Sequence, residues 1–363
     1  MSRSVADSVR DASAHRRSVL AACSVGLALV LSPAACSMDG KGSATSEGPA
    51  GLKAYYPTAH YWVDGGKRIV FEAADSNGYG CNHRPLACLW VMDADGLHKR
   101  KLAPDSELAS VSGSGRLLAR LVNLGRRRHH LIITTLAGKK VRMFAFRPSS
   151  ADEDDFRRPT WAPDESAVAF EGSATLNRVY VAERRKGVRV IARGRFLYSP
   201  AWSPDSRLIA FRRCPDEPPI AGCDLMVTRR DGSHTRVVAR DIDTEDPSWF
   251  GPPLPDPWSP NGHWLVFARN VQIYVIRPDG SGLRRVTDVP LVIRRLAWSP
   301  DSKRLAYIAG GVFVIGVHGG RARQVTTKKN QGSLSWAPSE RILYSRRGVI
   351  WTVTPGHPPV AIR

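Results

Sequence analysis

The sequence predicts an all-β ring, a seven-bladed β-propeller of four-stranded antiparallel blades, with six blades as the alternative. Three observations carry that expectation. A segment centred on tryptophan recurs seven times, the copies lie about one blade apart, and the stretches between them read as short strands without helical periodicity.

The clearest copies are PAWSPDSRLIAF, from Pro200 to Phe211, and LAWSPDSKRLAY, from Leu296 to Tyr307. PTWAPDESAVAF from Pro159, DPWSPNGHWLVF from Asp256, LSWAPSERILYS from Leu334 and HYWVDGGKRIVF from His60 follow the same pattern. A seventh, ASVSGSGRLLAR from Ala109, has Val111 where the others have Trp. The anchors Trp62, Val111, Trp161, Trp202, Trp258, Trp298 and Trp336 are 49, 50, 41, 56, 40 and 38 residues apart, which suits one four-stranded blade each. Within a copy, the Trp strand leads through a Pro-Asp-Ser or Asn-Gly turn into a strand such as RLIAF, expected to alternate in burial. A third strand and an Asp-Gly type turn, as at Asp95-Gly96, Asp231-Gly232 and Asp279-Gly280, lead to a fourth. The recurring Trp is expected to pack between adjacent sheets, because a large aromatic at one fixed position supplies buried area.

These segments resemble the TolB-type propeller family, whose repeat is built around W-S-P-D-G and a later D-G turn. The resemblance runs from about residue 57 to 363. It implies a protein-interaction scaffold outside the cytoplasm, and separately the small residues leading into Cys36 resemble the lipobox of bacterial lipoproteins. TolB itself is similar only in part, being six-bladed behind a separate α/β domain, whereas seven copies are countable here. Propeller-capped serine peptidases are related in their repeat but carry a following α/β-hydrolase domain; the chain is expected to fall outside that subclass.

Alternation of strand direction sorts the connections. Those from first to second and from third to fourth strand lie on one face, where the short Ser-Pro-Asp and Asp-Gly turns fall. Those from second to third strand, and from blade to blade, lie on the other, where the long loops fall: 73–88, 148–158, 212–223 and 243–257. Long loops on a rigid scaffold are where binding is usually placed, so this second face is the expected interaction surface. Arg126, Arg127 and Arg128, Arg212 and Arg213, and Arg346 and Arg347 fall between second and third strands, and guanidinium groups suit phosphate or carboxylate. His129 and His130 are read as part of the first cluster. Asp152 to Asp155, with Asp243, Glu245 and Asp246, are read as salt-linked or solvated loop residues, since they lack the ordered spacing of a calcium loop.

The amino terminus decides compartment. Residues 1 to 17 are polar and end in Arg16-Arg17; an apolar run from Ser18 to Leu31 and the small residues before Cys36 complete the layout of an export signal with a lipidation cysteine. Residues 37 to 56 are a Gly/Ser/Ala-rich tether, and 57 to 363 the propeller. No stretch is long enough to make a polytopic membrane protein. Beyond Cys23 in the signal and Cys36, four cysteines remain in two close pairs, Cys81 with Cys88 and Cys214 with Cys223. An even count is expected after oxidative export, and the spacing is not that of a zinc knuckle.

The formal charge is +20, from 53 Lys plus Arg against 33 Asp plus Glu. Export makes nucleic acid an unfitting partner and leaves anionic envelope polymers or proteins, with membrane contact through the lipid anchor only. There is no HExxH, no G-x-S-x-G and no Walker loop, so no catalytic, metal or cofactor site is assigned. The expectation is a monomeric, membrane-anchored binding scaffold on the extracytoplasmic side. The alternative is a carbohydrate lyase or hydrolase with dispersed residues converging on the ring axis.

Overall fold

The computed structural model describes residues 60–73, 88–104, 108–124, 128–147, 155–173, 177–215, 222–243, 257–288, 295–326, 334–346 and 349–362. All lie in the compact unit Glu47–Arg363; the other unit is Met1–Ser46. The expected signal, Cys36 and the tether lie outside the described residues.

Seven antiparallel sheets follow one another along the chain. Six have four strands in sequence order, and that of blade 5 has three, Leu265–Arg269, Gln272–Ile276 and Arg284–Arg285. The inner strand of blade 5 is reduced to a bridge between Trp258 and Leu265. Blade 7 is completed by the carboxy-terminal segment, Val360–Ile362, which pairs with Val349–Val353. The ring closes where the inner strand of blade 1, His60–Val63, meets that of blade 7, Leu334–Trp336.

No single central core exists among the described residues. The buried apolar side chains form seven clusters, and each cluster lies between two neighbouring blades. Every sheet is therefore covered on both faces. This corrects the expected alternation in the second strands. Ile209, Ala210 and Phe211 are buried in succession, as are Leu305 to Ile308 and Ile342 to Ser345, because the residues on one face pack against the blade before and those on the other against the blade after.

The tryptophans do more than fill space. The indole Nε1–H of Trp161 donates to the Ser110 carbonyl, that of Trp202 to Thr160, and that of Trp258 to Ala201, each at 3.1 Å. Trp298 donates to Pro257 at 3.2 Å. Each acceptor directly precedes the anchor of the previous blade, so the repeat is locked in register around the ring. Val111 carries no such donor. At the interface of blades 1 and 2 the hydroxyl of Tyr61, the residue before Trp62, accepts the Val111 N–H at 3.1 Å instead. Trp336 and Trp62 have buried indole nitrogens without a hydrogen bond, and a guanidinium lies over each ring: Arg304 at 5.1 Å and Arg341 at 4.9 Å.

The Ser-Pro-Asp turns are closed by their own side chains. Ser203 Oγ accepts the Leu208 N–H at 2.8 Å and donates to Asp205 Oδ1, which accepts the Arg207 N–H. Ser299 with Asp301 repeats the arrangement. The next position departs from the glycine of W-S-P-D-G. Glu165, Ser206 and Ser302 stand there at positive φ of 55°, 60° and 60°. Each accepts a backbone N–H from the preceding blade's turn at 3.0 Å, from Ser114, Asp164 and Asn261 respectively. A side-chain acceptor is kept at a position that glycine would occupy without strain.

Two outcomes are expected. Ser206→Ala keeps the strained backbone and loses the acceptor, whereas Ser206→Gly loses only the acceptor. In urea unfolding Ala is expected to be the less stable variant by about 1 kcal/mol. Burial pushes the Tyr61 phenol up to about 12, although the Val111 N–H bond opposes the shift. Its neutral form is favoured by folding, so its contribution is complete below the unfolded value of about 10 and is lost as pH rises toward 12. Tyr61→Phe should lower stability by about 1 kcal/mol at neutral pH and flatten the loss above pH ~10 in thermal melts.

Candidate functional site

The two faces differ in how they are built. On the first face the short turns are tied across blades. Besides the bonds above, Arg68 donates to the Gly115 carbonyl at 2.8 Å and Arg304 pairs with Glu340 at 2.7 Å. Every internal segment outside the described residues, by contrast, joins a second to a third strand or one blade to the next, and so belongs to the second face.

The best-defined part of that second face lies at the junction of blades 3 and 4. Glu171, near the end of blade 3's second strand, is 6% exposed. Its Oε2 accepts the N–H of Ser199 at 2.6 Å. Ser199 can point its N–H this way because the inner strand of blade 4, Leu197–Trp202, bulges between Tyr198 and Ala201, with Ser199 at φ 55°. Ser199 Oγ in turn accepts from Arg212 Nη2 at 3.3 Å. A carboxylate, a hydroxyl and a guanidinium thus cross the interface in one line.

Strand alternation sends the next residue elsewhere. Arg213 pairs with Asp224 at 2.6 Å, and Arg240 approaches the same carboxylate at 3.5 Å. Cys214 and Cys223 follow, joined by a disulfide with Cα atoms 4.3 Å apart, and both are buried in the cluster between blades 4 and 5. Cys88 is also disulfide-bonded; Cys81, its expected partner, lies outside the described residues.

The other expected binding residues are not gathered here. Arg128 is exposed on blade 2, while Arg126, Arg127 and Arg347 lie outside the described residues. Arg346 is half-buried over the Trp351 ring of its own blade at 5.8 Å. His129 and His130 belong to a strand, His129–Thr135, and His129 is 2% exposed against Phe146 and Phe156. Asp243 is a clasp between blades. Its two carboxylate oxygens accept the N–H groups of Asn270 and Val271, at 2.9 and 2.8 Å, in a blade 5 hairpin turn where both residues have positive φ. Asp155 begins a strand of blade 3, Asp155–Trp161; residues 152–154, 245 and 246 lie outside the described set. Among the described residues no three His, Cys, Asp or Glu side chains are close enough to hold a metal ion.

A second set of arginines escaped the sequence reading. Arg100 donates to the Leu136 carbonyl and Arg142 to that of Arg184. Arg189 donates to Arg230 and Asp231, and Arg236 to Pro278. Each reaches from an outer strand to the third turn of the following blade. A signal was present: Arg100, Arg142 and Arg236 all stand four residues after the glycine of that turn. The tightest of these junctions adds Glu183, whose carboxylate takes Arg189 at 2.7 Å and Arg230 at 2.5 Å. Burial opposes ionisation of Glu183, yet the hydrogen bonds and charges of the two arginines prevail and hold its carboxyl below the usual range. Arg230 also lies over the Trp202 ring at 5.4 Å.

No protein-family model matches the chain, and no curated protein does. Solved structures match it in fold. A mutant of puromycin hydrolase complexed with PGG aligns with a TM-score of 0.58 at 16% identity, over 85% of this chain and 54% of that one. The chain thus spans about half the length of that enzyme. The β-propeller domain of the Trilobed protease from Pyrococcus furiosus aligns with a TM-score of 0.56 at 10% identity, over 85% of this chain and 97% of that domain. TolB from Acinetobacter baumannii aligns with a TM-score of 0.44 at 18% identity, covering 79% and 74%.

Arg230→Ala is expected to destabilise by about 2–3 kcal/mol, because it strips a buried carboxylate of one partner. The Glu183 contribution is present above the unfolded carboxyl value of ~4.3 and is lost as pH falls through the depressed folded value. The variant should therefore also show a shallower acid limb when denaturation midpoints are measured against pH.

Proposed function

We propose that this chain is a lipid-anchored, extracytoplasmic scaffold that binds a protein or an anionic envelope polymer through the second face of its propeller. The anchor is Cys36, released at the end of an export signal of residues 1–36, with residues 37–56 as the tether and Cys81–Cys88 as a second loop disulfide. The protein acts as a monomer.

The observation that carries the reading is the asymmetry of the faces. The turns between first and second strands on the first face are taken up in holding blades together, which leaves the longer connections of the second to meet a partner. The Cys214–Cys223 bond supports it in two ways. Disulfides persist in oxidising compartments, and a loop closed at its base loses less entropy on binding. The fold by itself does not choose between scaffold and enzyme, since its structural neighbours include a hydrolase and a protease domain.

Crosslinking and affinity capture of the anchored protein from its own envelope should recover one dominant protein or polymer. Combined Arg126→Ser, Arg127→Ser and Arg128→Ser should weaken retention of anionic envelope fractions; unchanged retention removes the electrostatic form of the proposal. Mass spectrometry of the mature chain should find acyl groups on Cys36, and a freely secreted, unmodified chain removes the anchor.

A further inference from the structure

Basic charge is not spread evenly over the outer rim. The third turns and outer strands of blades 1, 4 and 5 each mix both signs, with Asp93 and Asp95, Asp231 and Asp241, and Asp279 and Asp288 among their arginines and lysines, while those of blade 6 have no carboxylate but only two basic residues, Arg321 and Arg323. In blade 2 the stretch from Thr135 to Arg147 contains Lys139, Lys140, Arg142 and Arg147 and no carboxylate. The corresponding turn of blade 3 is Arg184, Arg185 and Lys186, all exposed. Its one acidic neighbour, Glu183, is buried and taken up by Arg189 and Arg230, with Lys186 at 3.7 Å. The bond from Arg142 to the Arg184 carbonyl, at 2.7 Å, makes the two stretches one continuous surface.

The same surface carries exposed apolar side chains. The outer strand of blade 2, Lys140–Phe146, pairs on one edge only, and Val141 and Met143 are 55% and 43% exposed. Val141 sits at a bulge, unpaired between Thr134↔Lys140 and Ile133↔Arg142, which turns it out of the regular pairing, and Met143 pairs regularly with Ile132. Basic residues alone are accounted for by protection of a free strand edge. That explanation covers neither Val141 and Met143 nor the Arg184–Lys186 turn, which is not on an edge.

We propose that the rim of blades 2 and 3 is a contact surface for an anionic lipid bilayer. Lys139, Lys140, Arg184 and Arg185 meet the headgroups, and Val141 and Met143 enter the interfacial layer. A basic cluster without acidic members is attracted to anionic headgroups, and apolar side chains beside it add a gain that a soluble polyanion does not offer. This surface is separate from the second face and gives the propeller a direct membrane contact, beyond the lipid anchor that the sequence leads one to expect.

The full chain carrying Cys36→Ser, so that no acyl group contributes, is mixed with vesicles and sedimented. Vesicles of phosphatidylcholine with about one third phosphatidylglycerol are compared with phosphatidylcholine alone. The amino-terminal apolar run and Arg3, Arg10, Arg16 and Arg17 beside it are common to the parent and every variant, so the difference between parent and variants reports the rim. Stronger partition to the anionic vesicles, falling with added salt, is expected. Combined Lys139→Ser, Lys140→Ser, Arg184→Ser and Arg185→Ser should reduce it by ~10-fold or more. Val141→Ser with Met143→Ser should reduce it ~3-fold while leaving binding to soluble polyglutamate unchanged. All six sites are exposed, and unaltered melting temperatures check that the variants fold. Equal partition of the parent chain to both vesicles overturns the proposal without any variant. A charge variant that binds as the parent does overturns it as well. If the apolar pair has no effect and the charge variant loses vesicles and polyglutamate alike, the rim is a site for soluble polyanions and the membrane assignment fails. None of these outcomes involves an envelope protein or polymer, so they are independent of the second-face scaffold.

Discussion

The ring depends on one repeated contact, an aromatic side chain from the inner strand of every blade but the second, packed against the blade before it. Among the described residues no sheet has a core of its own. Each buries both faces against its neighbours, so the stability of a blade is inseparable from the presence of the blades on either side. The indole suits the role because it combines a large apolar area with one directed donor, and from Trp161 to Trp298 that donor finds the same backbone carbonyl each time. Where the repeat lacks the indole, Tyr61 reverses the polarity of the bond by accepting a backbone N–H. Around the closure, at Trp336 and Trp62, arginines lie over the rings instead. The seam between blades 7 and 1 also has the smallest buried cluster.

A second tier of contacts explains much of the arginine excess. Arg100, Arg142, Arg189 and Arg236 bridge outer strands to following turns. Arg68, Arg230 and Arg304 lie closer to the axis and secure the first face. Arginine fits these places better than lysine because its planar fork can meet a hydroxyl, carboxylates and an aromatic face at once, as Arg230 does with Ser166, Glu183, Asp164 and Trp202. Charge that seemed available for a partner is thus partly structural. What remains exposed includes Lys139, Lys140, Arg184 and Arg185 on the rim of blades 2 and 3, where no exposed carboxylate stands among them.

The same sorting applies to the residues singled out for binding. Arg212 turns inward to Ser199, Arg213 is neutralised by Asp224, and Arg346 stacks on Trp351. Arg212, Arg213 and Arg346, expected between second and third strands, form the ends of the second strands Leu208–Arg213 and Ile342–Arg346, and the direction of a side chain there was not readable. A one-residue step along a strand sends it to the opposite face, so neighbouring arginines acquire different partners. Asp243 is a similar case, a loop carboxylate by sequence and a clasp on Asn270 and Val271 in three dimensions.

The sequence by itself determined the blade number, the order of strands within a blade, the turns of the first face and the pairing of Cys214 with Cys223. All of these are local, repeated seven times or set by a separation of nine residues, and a periodic pattern survives the loss of any one copy, as at Val111. Tertiary structure alone decided which polar groups meet across blades. The partners are from 27 to 66 residues apart, as with Asp243 and Asn270 or Arg230 and Asp164, and no spacing in the chain encodes the angle between two sheets. It also decided that the second strands are buried on both faces, because only a closed ring supplies a neighbour to each.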